Sequence, residues 1–173
     1  MDRAARLRWA LLLGVAGLGL WLMLRDSTQD KIMAQLAVLS AALEQRPDES
    51  TEQRKTRLEA AFEHVFVEQP QIRIPDLPVR GANRSAVVEA ALDATRGLEE
   101  VTVRFEQPTV TVNASRHEAQ VQARAALAAR SAEAGFRTDN REVRLTLHET
   151  AGAWKIQDVE VAAPSTVEPE ARP

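Results

Sequence analysis

The stretch that most restricts how this chain can fold is residues 142–162, where Val143, Leu145 and Leu147 alternate with Arg144, Thr146 and His148. A period of two is that of a strand with one wet face. A Thr-Ala-Gly-Ala turn follows, with Gly152 where a hairpin must reverse. In the returning segment Trp154 and Ile156 share one parity while Val159 and Val161 share the other. The phase flips at Gln157 and Asp158, which predicts a bulge there. A two-strand ribbon is marginal alone, so the rest of the chain must add strands and a helical cover for its apolar face.

The other segments supply both. Ile32, Leu36, Leu39 and Leu43 recur at helical spacing and predict a helix over 30–44. Residues 46–50 break it, and Ser50 or Thr51 caps a second helix running to about Val67 with Leu58, Ala61, Phe62 and Val65 on one face. Residues 68–83 hold Pro70, Pro75, Pro78 and Gly81 and read as a loop with at most a short strand at Ile72 and Ile74. A third helix starts near Asn83 or Ser85, carries Val87, Val88, Ala91 and Leu92 inward, and ends around Gly97. Val101, Val103 and Phe105 form one strand, and Val110 and Val112 a second beyond Gln107 and Pro108. Residues 119–129 are rich in alanine and suit a helix on propensity, but Gln120, Gln122 and Arg124 alternate with Val121, Ala123 and Ala125. A helix cannot keep that pattern on one face, so this is a strand. Residues 131–140 read as the linking loop.

Ahead of these elements, 7–24 is apolar except Arg8, and a helix of that length covers about 27 Å at about 1.5 Å per residue. That nearly spans a bilayer core of roughly 30 Å, with Arg8 and Arg25 at its ends. A cleaved signal peptide is the competing reading. The bulky run Leu20-Trp-Leu-Met-Leu-Arg25 offers no small-residue cleavage site, which favours an uncleaved anchor. Arg3, Arg6 and Arg8 precede the run, so positive-inside bias leaves the amino terminus in the cytoplasm and the body, in a bacterium, in the periplasm at the inner membrane. The expected organisation is 1–6 cytoplasmic, 7–25 transmembrane helix, 26–50 helical stalk and linker, 51–162 α+β domain and 163–173 disordered tail. Residues 1–25 carry +3, from Arg3, Arg6, Arg8 and Arg25 against Asp2, so with a net charge of -3 the remainder carries -6, and no Lys/Arg cluster appears there, which argues against nucleic acid as a partner. Cysteine is absent, excluding thiol catalysis and disulfides.

Two helices, a Pro-containing short strand, a further helix and antiparallel strands closing on Gly152-Ala-Trp154-Lys-Ile156, with Arg80-Gly81 before the third helix, resemble the nuclear transport factor 2-like (cystatin-like cone) superfamily. The match covers about 51–161 and rests on order and spacing. The resemblance implies a strongly bent sheet wrapped around helices with a pocket between them. Members include isomerases, dehydratases and many noncatalytic binding or assembly domains, so it does not by itself decide function. The VirB-type assembly proteins of secretion channels are similar in plan, with one membrane span before a periplasmic domain of this fold.

Enzymes on this scaffold place acids, bases or tyrosines on the cavity face. Here the inward parity supplies Val101, Val103, Phe105, Val110, Val112, Val121, Ala123, Ala125, Val143, Leu145 and Leu147, and tyrosine is absent. Asp158 is the one catalytic candidate, and an unpaired buried carboxylate is costly, which favours an outward position for it. His64, His117 and His148 are scattered without metal-ligand spacing. A pocket, if open, is expected to be bounded by Phe62, Phe66, Phe105 and Trp154 beside Asp158. The alanines at 123 and 125 either bring a helix close to the sheet or leave volume for an apolar ligand. Arg104, Gln120, Gln122, Arg124 and Arg144 fall on the outward face, either simply solvated or an interface with a second copy or a membrane protein. The expectation is therefore a tethered noncatalytic interaction module without cofactor, with an apolar-ligand carrier as the alternative and an isomerase- or dehydratase-like enzyme behind it.

Overall fold

The structure, a computed structural model, describes residues 28–75, 83–113, 115 and 117–163. The predicted anchor over 7–25, the Arg80-Gly81 pair and the predicted disordered tail from 164 onward lie outside the described residues. Among the described residues no helix is long and apolar enough to cross a membrane. The chain divides into two units, Met1–Ala34 and Gln35–Pro173. The described part of the first, 28–34, is helical.

The second unit is α+β. Its first helix, α1 (35–43), buries Leu36, Leu39 and Ala42 at spacings of three. Ser50 caps α2 (Thr51–Val65) through a capping box, its hydroxyl accepting from the Gln53 amide while the Gln53 side chain accepts from the Ser50 amide. The helix stops two residues earlier than its apolar pattern suggested, because Phe66 turns into the extended region and opens β1 (Phe66–Arg73). Asn83 caps α3 (Arg84–Ala94), which buries Val87 and Val88.

Four longer strands complete the unit: β2 (Leu98–Asn113), β3 (Glu118–Ser131), β4 (Gly135–Thr150) and β5 (Ala153–Val161). The sheet order is β1-β5-β4-β3-β2. It is mixed rather than wholly antiparallel, since β1 runs parallel to β5. The segment read as a loop around Pro70 is thus an edge strand. Its proline lies in the irregular stretch between the pairs Phe66–Ile156 and Gln71–Asp158, where a missing N–H breaks no regular ladder. The two strands expected around Gln107 and Pro108 are one, with a register shift between Glu106 and Thr109 and Gln107 at φ 49. The loop expected over 131–140 is mostly strand, because β4 begins at Gly135 and pairs with β3 as far as Ser131.

The alanine-rich segment is a strand throughout. The bulge near Gln157 is present: Asp158 pairs with Thr146 and Ile156 with Leu147, leaving Gln157 as the extra residue. Ala151 (φ 52) and Gly152 (φ 79) make the turn before β5, the two positive φ values of a type I′ hairpin. Leu58, Phe62 and Val65 of α2 lie against the sheet core of Val121, Leu145, Leu147 and Ile156, all at most 2% exposed. Just past α1, Gln45 exchanges backbone hydrogen bonds with Val101 of β2 (2.8 and 3.2 Å), and within α1 the Ser40 hydroxyl donates to the Val103 carbonyl.

Candidate binding cavity

Between the helices and the inner sheet face lies a cavity of about 350 Å³. Leu39 and Leu43 of α1, Phe62 of α2 and Phe66 of β1 form part of its wall. Phe62 and Phe66, on either side of the helix-to-strand junction, meet edge to face with ring centroids 5.1 Å apart. The α3 side is low relief, since Ala90, Ala91 and Ala94 face the space with no side chain beyond Cβ. Val103, Phe105, Ala125 and Leu145 close it from the sheet. Of the alanines at 123 and 125 on β3, Ala123 is 4% exposed and packed in the core, whereas Ala125 borders the cavity and leaves it room.

Three of the five residues expected at a pocket, Phe62, Phe66 and Phe105, line this one. Trp154 and Asp158 do not. Trp154 is buried on the first half of β5, and the bulge that follows hands the cavity to Val159 and Val161 instead. The Asp158 carboxylate, 26% exposed, stands 3.9 Å from Arg73 on the neighbouring edge strand. The outward set is where alternation put it: Arg104, Gln120, Gln122, Arg124 and Arg144 are all exposed. His64 is exposed, His117 meets Glu149 at 3.0 Å in the β2–β3 turn, and His148 is half-buried on β4. Among the described residues no group of three or more potential ligands could hold a metal ion.

Two charged features of the inner side escaped the sequence reading. Arg54 lines the cavity and is only 5% exposed. It lies one helical turn ahead of Leu58 and two ahead of Phe62, so extending the apolar stripe of α2 backward by four residues would have found it. One terminal nitrogen donates to the Gln45 side-chain oxygen and to the Thr95 hydroxyl (2.7 Å), which itself donates to the Ala91 carbonyl at 2.9 Å. Among the described residues the Arg54 Nε finds no acceptor. Burial, with Arg57 nearby, pushes its pKa down, and Glu49 acts against the shift. An arginine so placed nevertheless stays protonated.

The second feature is Arg141, opposite Ala125 in the β3–β4 ladder and hence on the cavity side of the sheet. Its Nε donates to the Asp139 carboxylate at 2.8 Å. It was invisible while 131–140 read as loop.

Neither a family model nor a curated protein matches the sequence. Solved structures do. A protein from Kribbella flavida, Kfla4162, superposes with a TM-score of 0.66 at 11% identity, over 80% of this chain and 92% of that one. An NTF2-like protein with a cystatin-like fold from Novosphingobium aromaticivorans gives 0.59 at 18% identity over 92% of both chains. The chain has the NTF2-like fold. A protein from the same organism, provisionally named a scytalone dehydratase, gives 0.56 at 15% identity over 81% of this chain and 83% of that one. At such identities the likeness carries architecture and not chemistry.

Proposed function

We propose that this chain is a noncatalytic binding domain, tethered to the bacterial inner membrane through residues 7–25 with its body in the periplasm, whose NTF2-like cavity takes a small apolar ligand. The observation that carries the reading is the cavity of about 350 Å³ walled by Phe62, Phe66 and Phe105. Ligand sites are mostly apolar concavities of some 300–1,000 Å³ with few polar groups, and this one fits that description. A proton-transfer enzyme needs a titratable acid or base at the reacting atoms. Among the described residues the lining offers only Arg54 and Thr95 as polar side chains, neither of which exchanges protons near neutral pH. The tether rests on the apolar run of the sequence and its preceding arginines.

The test is binding of decanol to the full chain in lipid nanodiscs, with empty nanodiscs subtracted. Ala125→Phe places a ring in the cavity and should weaken binding at least tenfold, whereas His64→Ala on the exposed flank should leave it unchanged. Equal binding by all three proteins would refute an interior site.

A second reading, docking of another copy or a membrane protein on the outer sheet face, is favoured by Phe136, 65% exposed on that face beside Arg130. Gln122 and Arg144 border a polar depression there together with Glu142 and Glu160. A photo-crosslinker at Gln122 in the native membrane should capture a neighbour on this reading and nothing if the face is merely solvated.

A further inference from the structure

Arg54 makes an uneven set of bonds for a buried cation. A guanidinium has five N–H donors, and among the described residues Arg54 donates through one terminal nitrogen, toward two neutral acceptors. Among the described residues Nε has no acceptor and no carboxylate lies within ion-pair distance of Arg54. Glu49, the nearest candidate by sequence, is bound by Arg57 through both carboxylate oxygens, at 2.7 and 2.6 Å. A buried charge without a counter-ion and with an unmet donor is costly unless something else answers it. The group opens on a cavity whose remaining wall is almost entirely hydrocarbon.

Resting on the apolar-ligand reading, we propose that the ligand of this cavity is an amphipathic carboxylic acid, its hydrocarbon part among Phe62, Phe66 and Phe105 and its carboxylate received by Arg54. A carboxylate supplies the two features the site lacks, a negative charge and acceptors in the plane of a guanidinium fork. Thr95 and Gln45 hold the guanidinium from one side, so its orientation is set before a ligand arrives. The role differs from a purely structural arginine, which would be indifferent to the head of a bound molecule.

Decanoate and decanol share one hydrocarbon chain and differ at the head, so titrating both by calorimetry into the full chain in zwitterionic nanodiscs separates the two claims. Charge-assisted hydrogen bonds predict decanoate binding tighter by on the order of thirtyfold. Arg54→Gln should reduce that preference, the ratio of the two affinities within each protein, to less than threefold. NMR of carboxyl-labelled decanoate reads the same contact in the unmutated protein. Its bound carboxyl should titrate at lower pH than the free acid, and an unshifted or raised value would overturn the assignment. Equal affinity for the two heads would overturn the role of Arg54 and leave the apolar cavity standing. Failure of both molecules to bind above the empty-nanodisc blank would bring down the cavity reading and this one together.

Discussion

Replacing Arg57 by alanine should destabilise the second unit by about 3 kcal/mol. This side chain joins α2 to the end of α1: its guanidinium donates to the carbonyls of Ala41 (2.7 Å), Ala42 (2.9 Å) and Glu44 (2.6 Å). The first two belong to the last turn of α1 and the third to the residue that follows it, where oxygens have no partner within the helix and a cation is favoured. It also grips Glu49 through both carboxylate oxygens, with Glu49 only 11% exposed. Hydrogen bonds to charged groups contribute about 1.5–3 kcal/mol each, but bonds sharing one head are not additive. Arg57 is itself 27% exposed, so water recovers part of the loss. The net is therefore set near the lower end for removing one partner of a buried pair, about 3 kcal/mol. In a unit of this size that lowers the melting temperature by roughly 10 °C.

The loss has a pH signature. The Arg57 bonds hold the Glu49 carboxyl below its ordinary value of 4.5, against the opposing effect of burial. A depressed folded pKa contributes stability that is present above the unfolded value and disappears as pH falls through the folded one. The gap between the parent protein and Arg57→Ala should thus be full at neutral pH and narrow once the pH drops below about 4.5. Pulse proteolysis in urea on the full chain in nanodiscs, with thermolysin at neutral pH and pepsin in acid, measures both. Adding Glu49→Gln to Arg57→Ala should restore about 1 kcal/mol by removing the stranded carboxylate. A loss below about 1 kcal/mol at neutral pH, or a gap that widens in acid, would refute the account.

Two smaller effects follow from local backbone chemistry. Ser50→Ala removes the capping box of α2 and should lower stability by about 1 kcal/mol in the same proteolysis assay, with Ser50→Thr close to the parent. Ala151→Gly relieves a left-handed alanine in the β4–β5 turn and should raise stability by about 1 kcal/mol, whereas Gly152→Val, at φ 79, should lower it by more than that.

The ribbon over 142–162 was readable because both of its faces obey one rule each, and even its defect, the extra Gln157, announced itself as a change of parity. The β3 alternation survived its alanine content for the same reason. What could not be read were places where the rule is carried by polar residues. In the first half of β4 the cavity-side positions are Arg137, Asp139 and Arg141, so a strand extending past the core looked like a loop. Parallel pairing of β1 needed knowledge of where β5 ends up, which no local pattern holds. Arg54 was passed over because a charge on a helix is ordinarily assigned to water. Its burial follows from position on the stripe of α2, and the Gln45 and Thr95 groups that make burial tolerable come from outside that helix, 9 and 41 residues away.

The kink at Gln107 and Pro108 bears on how the edge of this sheet avoids pairing with another copy of the chain. β2 is the outermost strand on its side of the sheet, and a long outer strand is a template on which another chain can polymerise. Gln45 already occupies the backbone groups of Val101 in the first half. At the kink the left-handed Gln107 swings the strand off line and Pro108 offers no amide to an incoming neighbour. What remains beyond it is too short a run to seed a cross-β stack, so straightening that corner would convert a guarded border into an adhesive one.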